Sequence, residues 1–191
     1  MDAPRGRSRE AESAQANPRP KARRRRVEGA ATTARGPTPP RLRVLGLGNL
    51  LRSDDGVGVH LARALAGEPW PEHVRILDAG TPGVALLDLV QEAEHVLILD
   101  AGDFADAPAT LRIFTPDEVR RRSASSPLSI HEADVLGVLR LGQALGIAVP
   151  VTLIAIQPQS LEPGTELSPV LAEAFPKLLA CVRALIRSLC Q

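Results

Sequence analysis

Four apolar segments of strand length recur along the chain after residue 40, and segments with helical periodicity separate them. Strands that are apolar throughout, with helices between them, are typical of a parallel sheet covered by helices on both faces. The four strand segments are RLRVLGLG (41–48), HVRILDAG (73–80), HVLILDAGDF (95–104) and VPVTLIAIQP (149–158). The sequence therefore predicts a three-layer α/β/α domain.

A fifth strand segment, TLRIFT (110–115), is shorter and more polar. It follows the third strand after a loop too short for a crossover helix, so we expect it to be antiparallel and at an edge. The prediction is thus a mostly parallel, twisted five-stranded sheet with one antiparallel strand. Pro176 lies inside the closing helical segment and would kink or split it. The segments with helical signals are 54–67, 82–93, 116–122, 131–146 and 169–190.

The first forty residues differ from the rest and are expected to be a separate, disordered basic tail. They contain ten basic and four acidic residues, so a whole-chain charge of +1 leaves residues 41–191 with about −5. The tail is rich in Arg, Pro and Ala, which cannot bury enough apolar surface to offset its ordering entropy. It has no apolar run, so we do not expect it to be a secretory signal. Its arginines have no aromatic residues among them, and we expect no nucleic-acid partner.

The rest of the sequence predicts a cytoplasmic protein, and a monomer is expected because the globular part shows no obvious additional apolar helix. No segment reaches the roughly 18 uninterrupted apolar residues of a membrane span, so no membrane partner is expected. The two cysteines, Cys181 and Cys190, fall on opposite faces of the closing helix, which disfavours a shared metal or a disulfide. Few cysteines without a disulfide pattern are typical of a reducing compartment.

Aspartates follow the ends of three predicted parallel strands: Asp54 and Asp55 after the first, Asp78 in the second and Asp100 in the third. The carboxyl ends of parallel strands meet at the same end of a sheet, where ligands of open α/β folds bind. Carboxylates gathered there repel one another, which raises their pKa values and favours a bound cation. This end of the sheet is the predicted functional site.

Two other interpretations of the first motif stay open at this point. Gly46 and Gly48 supply the start of a dinucleotide fingerprint, but Leu51 replaces its third glycine and two aspartates would face the pyrophosphate. Alternatively, Ser53 or Asp54 caps the first helix and Asp55 lies in its first turn. A cap explains one acid, but not the acids on the other two strands.

A metal site is the third interpretation. Asp55, Asp100 and one histidine would form an oxygen and nitrogen donor set suited to nickel or zinc. His131 follows the polar loop SASSPLS and begins a helix, so it can reach the same end of the sheet. His73 and His95 precede their strands and belong to the opposite end. A single histidine at a loop-to-helix junction is also common without any ligand role.

Five motifs, in this order, resemble those of the hydrogenase maturation endopeptidases, which trim the C-terminus of the [NiFe]-hydrogenase large subunit. The resemblance covers about residues 42–189, and the combination of motifs is specific. HEADVL is more compact here than in some family members, and the basic tail has no counterpart in the family pattern. The motifs are GLGNLLRSDDGVG (46–58), LDAGTPG (77–83), LDAGDF (99–104), SIHEADVL (129–136) and QPQSLEPGTELSP (157–169).

The resemblance implies that Asp55, Asp100 and His131 contact the metal and that Asp78 is a further acid of the site. It implies nickel, carried by the large-subunit precursor, with zinc or cadmium able to substitute in vitro. Cleavage would use either the metal as a Lewis acid or a carboxylate base, Asp55 or Asp78. A non-catalytic nickel-binding chaperone of the same precursor is the alternative function.

Overall fold

The computed structural model describes residues 41–125 and 135–190, which contain a five-stranded sheet in the order β2-β1-β3-β5-β4. Strands β1, β2, β3 and β5 pair in parallel, and β4 pairs antiparallel with β5 at one edge. The predicted mixed α/β sheet is therefore confirmed, including its single antiparallel strand. The strands are β1 (Leu42–Leu47), β2 (Val74–Gly80), β3 (His95–Ala101), β4 (Leu111–Phe114) and β5 (Val151–Ile156).

Five α-helices accompany the strands in the described part of the chain, none of them long and apolar enough to cross a membrane. The predicted basic tail and the start of the helix predicted at 131 lie outside the described residues. The closing helix is continuous through Pro176, so of the two effects expected there the split was wrong, and the kink stays a prediction. Burial of four apolar residues along its inner face offsets the backbone hydrogen bond that proline removes. The helices are α1 (Val57–Ala66), α2 (Leu86–Gln91), α3 (Pro116–Ser125), α4 (Val135–Ala144) and α5 (Pro169–Leu189).

The sheet separates two apolar clusters, one on each face. Alternate residues of a strand point to opposite faces, so Leu97 and Leu99 of β3 pack with α1 and α5. Val96 and Ile98 of the same strand pack with α2, α3 and α4. Both faces are covered, which explains why β1, β3 and β5 are apolar along most of their length.

Glycines in the first motif let α1 lie directly on the backbone of the sheet. A Cβ atom at Gly58 would be 2.2 Å from the carbonyl oxygen of Leu99, and one at Gly46 would be 2.3 Å from the carbonyl oxygen of Gly58. Gly48 has φ of +125°, a conformation that residues with a side chain rarely adopt. The glycines therefore fix where the chain leaves β1 and enters α1, and this connection carries Asp54 and Asp55.

Candidate active site

A cavity of about 110 Å³ opens where the parallel strands end. It lies on the face of the sheet that α2 and α4 cover. Its acidic side chains are Asp55 and Asp100, and Thr81 adds a hydroxyl group. The structure thus brings together two of the predicted site residues. The lining is Leu47, Gly48, Asp55, Gly80, Thr81, Pro82, Gly83, Leu86, Asp100, Ala101, Val135 and Val138.

Asp55 is held by the turn that precedes it. The backbone N–H of Asn49 donates to Oδ2 of Asp55 at 2.9 Å, and the side chain of Asn49 accepts a hydrogen bond from the N–H of Leu51. Asp55 lies in a 3-10 turn, Ser53–Gly56, and is partly exposed. Among the described residues, no hydrogen bond is formed to its other carboxylate oxygen. Asp55 is therefore oriented while keeping one oxygen available to a ligand.

Asp100, at the end of β3, is strongly perturbed. Burial raises the pKa of Asp100 to about 7, and the negative charge of Asp55 contributes to this rise, whereas the backbone N–H of Ala101 acts in the opposite direction. Two carboxylates in one cavity resist carrying two charges at once. A cation would relieve this repulsion, so the pair is suited to bind one.

Replacing Asp100 by asparagine is expected to stabilise the protein at pH 8. The folded-state pKa of Asp100 is about 7, above its ordinary value of 3.8, so the wild type loses stability as pH rises between these values. The asparagine side chain carries no charge, and the variant should gain about 1–3 kcal/mol in unfolding free energy at pH 8. Urea titrations at pH 8 and pH 4 measure this gain. An equal difference between variant and wild type at both pH values would contradict the perturbed pKa.

Asp78 lies apart from this cavity, on the face of the sheet that α1 covers. Its Oδ2 accepts hydrogen bonds from Nε and Nη2 of Arg63 in α1 at 2.8 and 2.7 Å. Its Oδ1 accepts the backbone N–H of Gly80. The predicted catalytic role of Asp78 stays a prediction, and the geometry gives this carboxylate an ion-pair partner outside the cavity.

Asp54 is fully buried. The N-cap of α1 is Gly56, and no side chain caps the helix, so the interpretation of Ser53 or Asp54 as the cap of the first helix was wrong. Its Oδ2 accepts the backbone N–H groups of Gln159 and Ser160 at 2.9 and 3.0 Å, and its Oδ1 accepts that of Ser168 at 2.7 Å. Burial raises the pKa of Asp54, but these hydrogen bonds outweigh it and lower the pKa below 3.8. Asp54 thus attaches the loop between β5 and α5 to the connection that carries Asp55.

Further hydrogen bonds hold the same two segments together. The N–H of Ser53 donates to the carbonyl oxygen of Gly164 at 2.9 Å, and the N–H of Gly164 donates to that of Leu51 at 3.0 Å. The hydroxyl of Ser53 donates to the carbonyl oxygen of Glu162. Ser53 has φ of +48°, an unusual conformation that these contacts stabilise. The loop between β5 and α5 is therefore hydrogen-bonded to the connection that carries Asp55 and helps to fix its conformation.

His131, the predicted third metal contact, lies outside the described residues. Val135, four residues later in the sequence, lines the cavity. Within the described ranges, no three His, Cys, Asp or Glu side chains are grouped as a metal site would require. His95 bonds to the hydroxyl of Thr152 at 3.0 Å where β3 begins, so it lies at the opposite end of the sheet, as expected.

Sequence reasoning missed the supporting residues of the site. Asn49 lies two residues after β1, and its position in the GLGN motif was the available signal. The contacts of Asp54 with the loop at 159–168 span more than one hundred residues, and no local pattern indicates them. Thr81 was part of the LDAGTPG motif but was not assigned a role.

Comparison with known proteins identifies the family. A model of the hydrogenase maturation protease family matches residues 59–184. The chain belongs to the hydrogenase maturation proteases. It is 38% identical over 146 residues to the hydrogenase expression/formation protein HoxM of Azotobacter vinelandii, covering 74% of this chain and 70% of that protein. It is 35% identical over 151 residues to the hydrogenase 2 maturation protease of Escherichia coli, covering 77% and 91%.

Solved structures agree with this membership. The hydrogenase maturating endopeptidase HybD of E. coli is 33% identical, with a TM-score of 0.67 over 78% of this chain and 93% of that one. A hydrogenase 2 maturation peptidase from a Thaumarchaeota archaeon is 27% identical, with a TM-score of 0.57 over 76% and 97%. The protein is accordingly a peptidase of the hydrogenase maturation family.

Proposed function

We propose that this peptidase removes the C-terminal extension of a [NiFe]-hydrogenase large-subunit precursor and that nickel already bound to the precursor is its recognition signal. The observation that most directly supports this proposal is that Asp55 and Asp100 line one cavity and that the pKa of Asp100 is raised to about 7. An incoming cation on the substrate would lower the cost of ionising both carboxylates. The nickel belongs to the substrate, and zinc or cadmium in its place would act in vitro as substitutes.

His131 is proposed as the third contact to this nickel. Val135 lines the cavity, and His131 precedes it in the sequence by four residues, a length of chain that spans at most about 14 Å. Two carboxylate oxygens and an imidazole nitrogen form a donor set compatible with a divalent ion such as nickel. A difference of about 3 kcal/mol between loaded and empty precursor would give over a hundredfold discrimination. Cleavage would then depend on completed nickel insertion.

For bond cleavage, we propose that Asp55 contributes directly. Its Oδ2 is engaged by the N–H of Asn49, which leaves the other oxygen to accept a proton from water or to contact the metal. Asp78, the other base predicted from the sequence, is paired with Arg63 instead. These contacts favour Asp55 over Asp78 as the base.

The cytoplasmic location expected from two free cysteines stays a prediction.

His131→Ala is expected to remove most of the preference for nickel-loaded precursor. The variant would lose one of three metal contacts, and the ratio of cleavage rates between loaded and empty precursor should fall at least about tenfold. The assay is intact-mass spectrometry of purified precursor, with and without nickel, after incubation with each enzyme. His73→Ala is the matched control, because His73 precedes β2 at the opposite end of the sheet. This variant should keep the wild-type ratio of cleavage rates between loaded and empty precursor. Normal discrimination by His131→Ala would refute the three-contact assignment.

The same assay tests the chaperone alternative. A chaperone would form a persistent stoichiometric complex with the precursor and leave its mass unchanged. Catalytic loss of the extension at substoichiometric enzyme would support the proposed function instead.

A further inference from the structure

Strand β2 forms one edge of the sheet and has β1 as its neighbour among the described residues. In a parallel ladder each strand bonds to one neighbour through about half of its backbone N–H and C=O groups. The other groups of β2 therefore point away from the sheet. Over seven residues this edge is about 23 Å long. It is a template on which an extended chain can pair.

The carboxyl end of β2 leads directly into the cavity. Gly80, the last residue of the strand, lines the cavity together with Thr81, Pro82 and Gly83. The ladder with β1 is irregular at this point, where Asp78 and then Gly80 pair with consecutive residues of β1. Such a bulge bends the strand and is frequent next to active sites. One end of a peptide paired along β2 would consequently lie at the cavity, close to Asp55 and Asp100.

The side chains of β2 suit such pairing. Leu77, in the middle of the strand, is 36% exposed, which is high for leucine in a sheet. The charge of Asp78, its neighbour, is neutralised by Arg63. The edge therefore presents a partly exposed leucine, Leu77, and the carboxylate next to it in the sequence is already paired with an arginine.

The strand at the other edge of the sheet, β4, does not lead into the cavity. Strand β4 has four residues, and none of them lines the cavity. Ile113 of β4 is 48% exposed, so exposure of an aliphatic side chain is common to both edges. What distinguishes β2 is that its end forms the wall of the site.

We propose that an extended segment of the precursor pairs with the outer edge of β2 as an added antiparallel strand while its peptide bond is cut. This inference rests on the proposed function. With the scissile bond at the cavity, the residues that follow it would run away from the cavity along β2, opposite to the direction of the strand. Residues before the bond belong to the folded part of the precursor. Main-chain hydrogen bonds to β2 would hold the extension, and a side chain of the extension would cover Leu77.

The first test is Leu77→Asp, with Ile113→Asp as the matched control on the other edge. Leu77→Asp removes the apolar contact and should raise KM for the nickel-loaded precursor about tenfold, with kcat within a factor of two. Ile113→Asp should change neither parameter. Thermal unfolding of both variants identifies any general loss of stability. An unchanged KM for Leu77→Asp would overturn the inference.

The second test is hydrogen exchange of the full wild-type chain, alone and mixed with nickel-loaded precursor. Within 74–79, the amides that point away from β1 should exchange more slowly in the complex, and the amides of 111–114 should not change. Cleavage of the precursor without protection of β2 overturns this inference and leaves the proposed function intact. Protection of β2 without cleavage contradicts the proposed function and overturns pairing during cleavage, leaving only binding of the precursor at this edge. If neither is seen, both are overturned.

Discussion

Asp55→Asn is expected to lower the rate of precursor cleavage by about 10²- to 10⁴-fold, the range lost with a general base. Asparagine cannot take a proton from water and is a weaker ligand for a divalent ion, so the loss is expected whether the carboxylate acts as base or contacts the metal. The side-chain oxygen of asparagine can still accept the N–H of Asn49, which now bonds to Oδ2 of Asp55. The fold should therefore be retained. Single-turnover cleavage followed by intact mass measures the rate.

Asp78→Asn is the matched control for this variant. It removes an ion pair with Arg63 in which the side chains are 56% and 31% exposed, Arg63 being the more exposed. Such pairs contribute about 1 kcal/mol or less. Cleavage by Asp78→Asn should stay within about threefold of the wild type, a change of less than 1 kcal/mol in activation free energy. A large loss in Asp78→Asn together with a small loss in Asp55→Asn would reassign the base to Asp78.

Asp54→Ala is expected to lower the free energy of unfolding by about 3–5 kcal/mol. The buried carboxylate accepts three backbone N–H groups, from Gln159, Ser160 and Ser168. Alanine would leave these donors without an acceptor in the interior and would release the loop from the connection that carries Asp55. With a total stability of about 5–15 kcal/mol, the loss is large. Urea unfolding at pH 7 measures it.

Asp103→Ala is the control for Asp54→Ala. Asp103 also accepts a backbone N–H, from Ala105, and a side-chain N–H, from Gln157, but it is exposed. We expect a clearly smaller loss of unfolding free energy than for Asp54→Ala, because water replaces the lost acceptor at this exposed position. Equal losses in the two variants would show that burial of Asp54 is not the cause.

The stability contributed by Asp54 should also depend on pH. Its folded-state pKa lies below the ordinary 3.8, so the folded protein binds fewer protons than the unfolded chain in this range. The contribution is fully present above about pH 5 and is lost as pH falls through the folded pKa. The difference between wild type and Asp54→Ala should therefore shrink in acid. The opposite sign holds for Asp100, whose cost to stability increases as pH rises toward 7.

The fold was largely predictable because its signals are local. Apolar β1, β3 and β5, separated by helical segments, indicate a covered parallel sheet, and the short connection before β4 indicates its antiparallel direction. The prediction that Asp55 and Asp100 lie at the same end of the sheet was correct, because strand direction fixes that end. Asp55 and Asp100 accordingly meet in one cavity.

What the sequence could not predict depends on contacts between distant residues. Asp54 and Asp55 are adjacent and chemically identical, yet Asp54 is buried under a loop more than one hundred residues away, and Asp55 faces the cavity. Asp78 lies near the carboxyl end of its strand, as Asp100 does, but alternation along β2 directs its side chain to the other face, where it pairs with Arg63. Strand periodicity alone does not reveal which face holds the cavity.

The central claim is that this chain trims a hydrogenase large subunit, and the intact masses of the large subunits in the source organism test it most directly. They should be measured with the gene present, deleted and restored. The account predicts that one large subunit is heavier by its C-terminal extension in the deletion and returns to mature mass on restoration. Mature masses throughout, together with failure of the purified protein to cut nickel-loaded precursor, would contradict it.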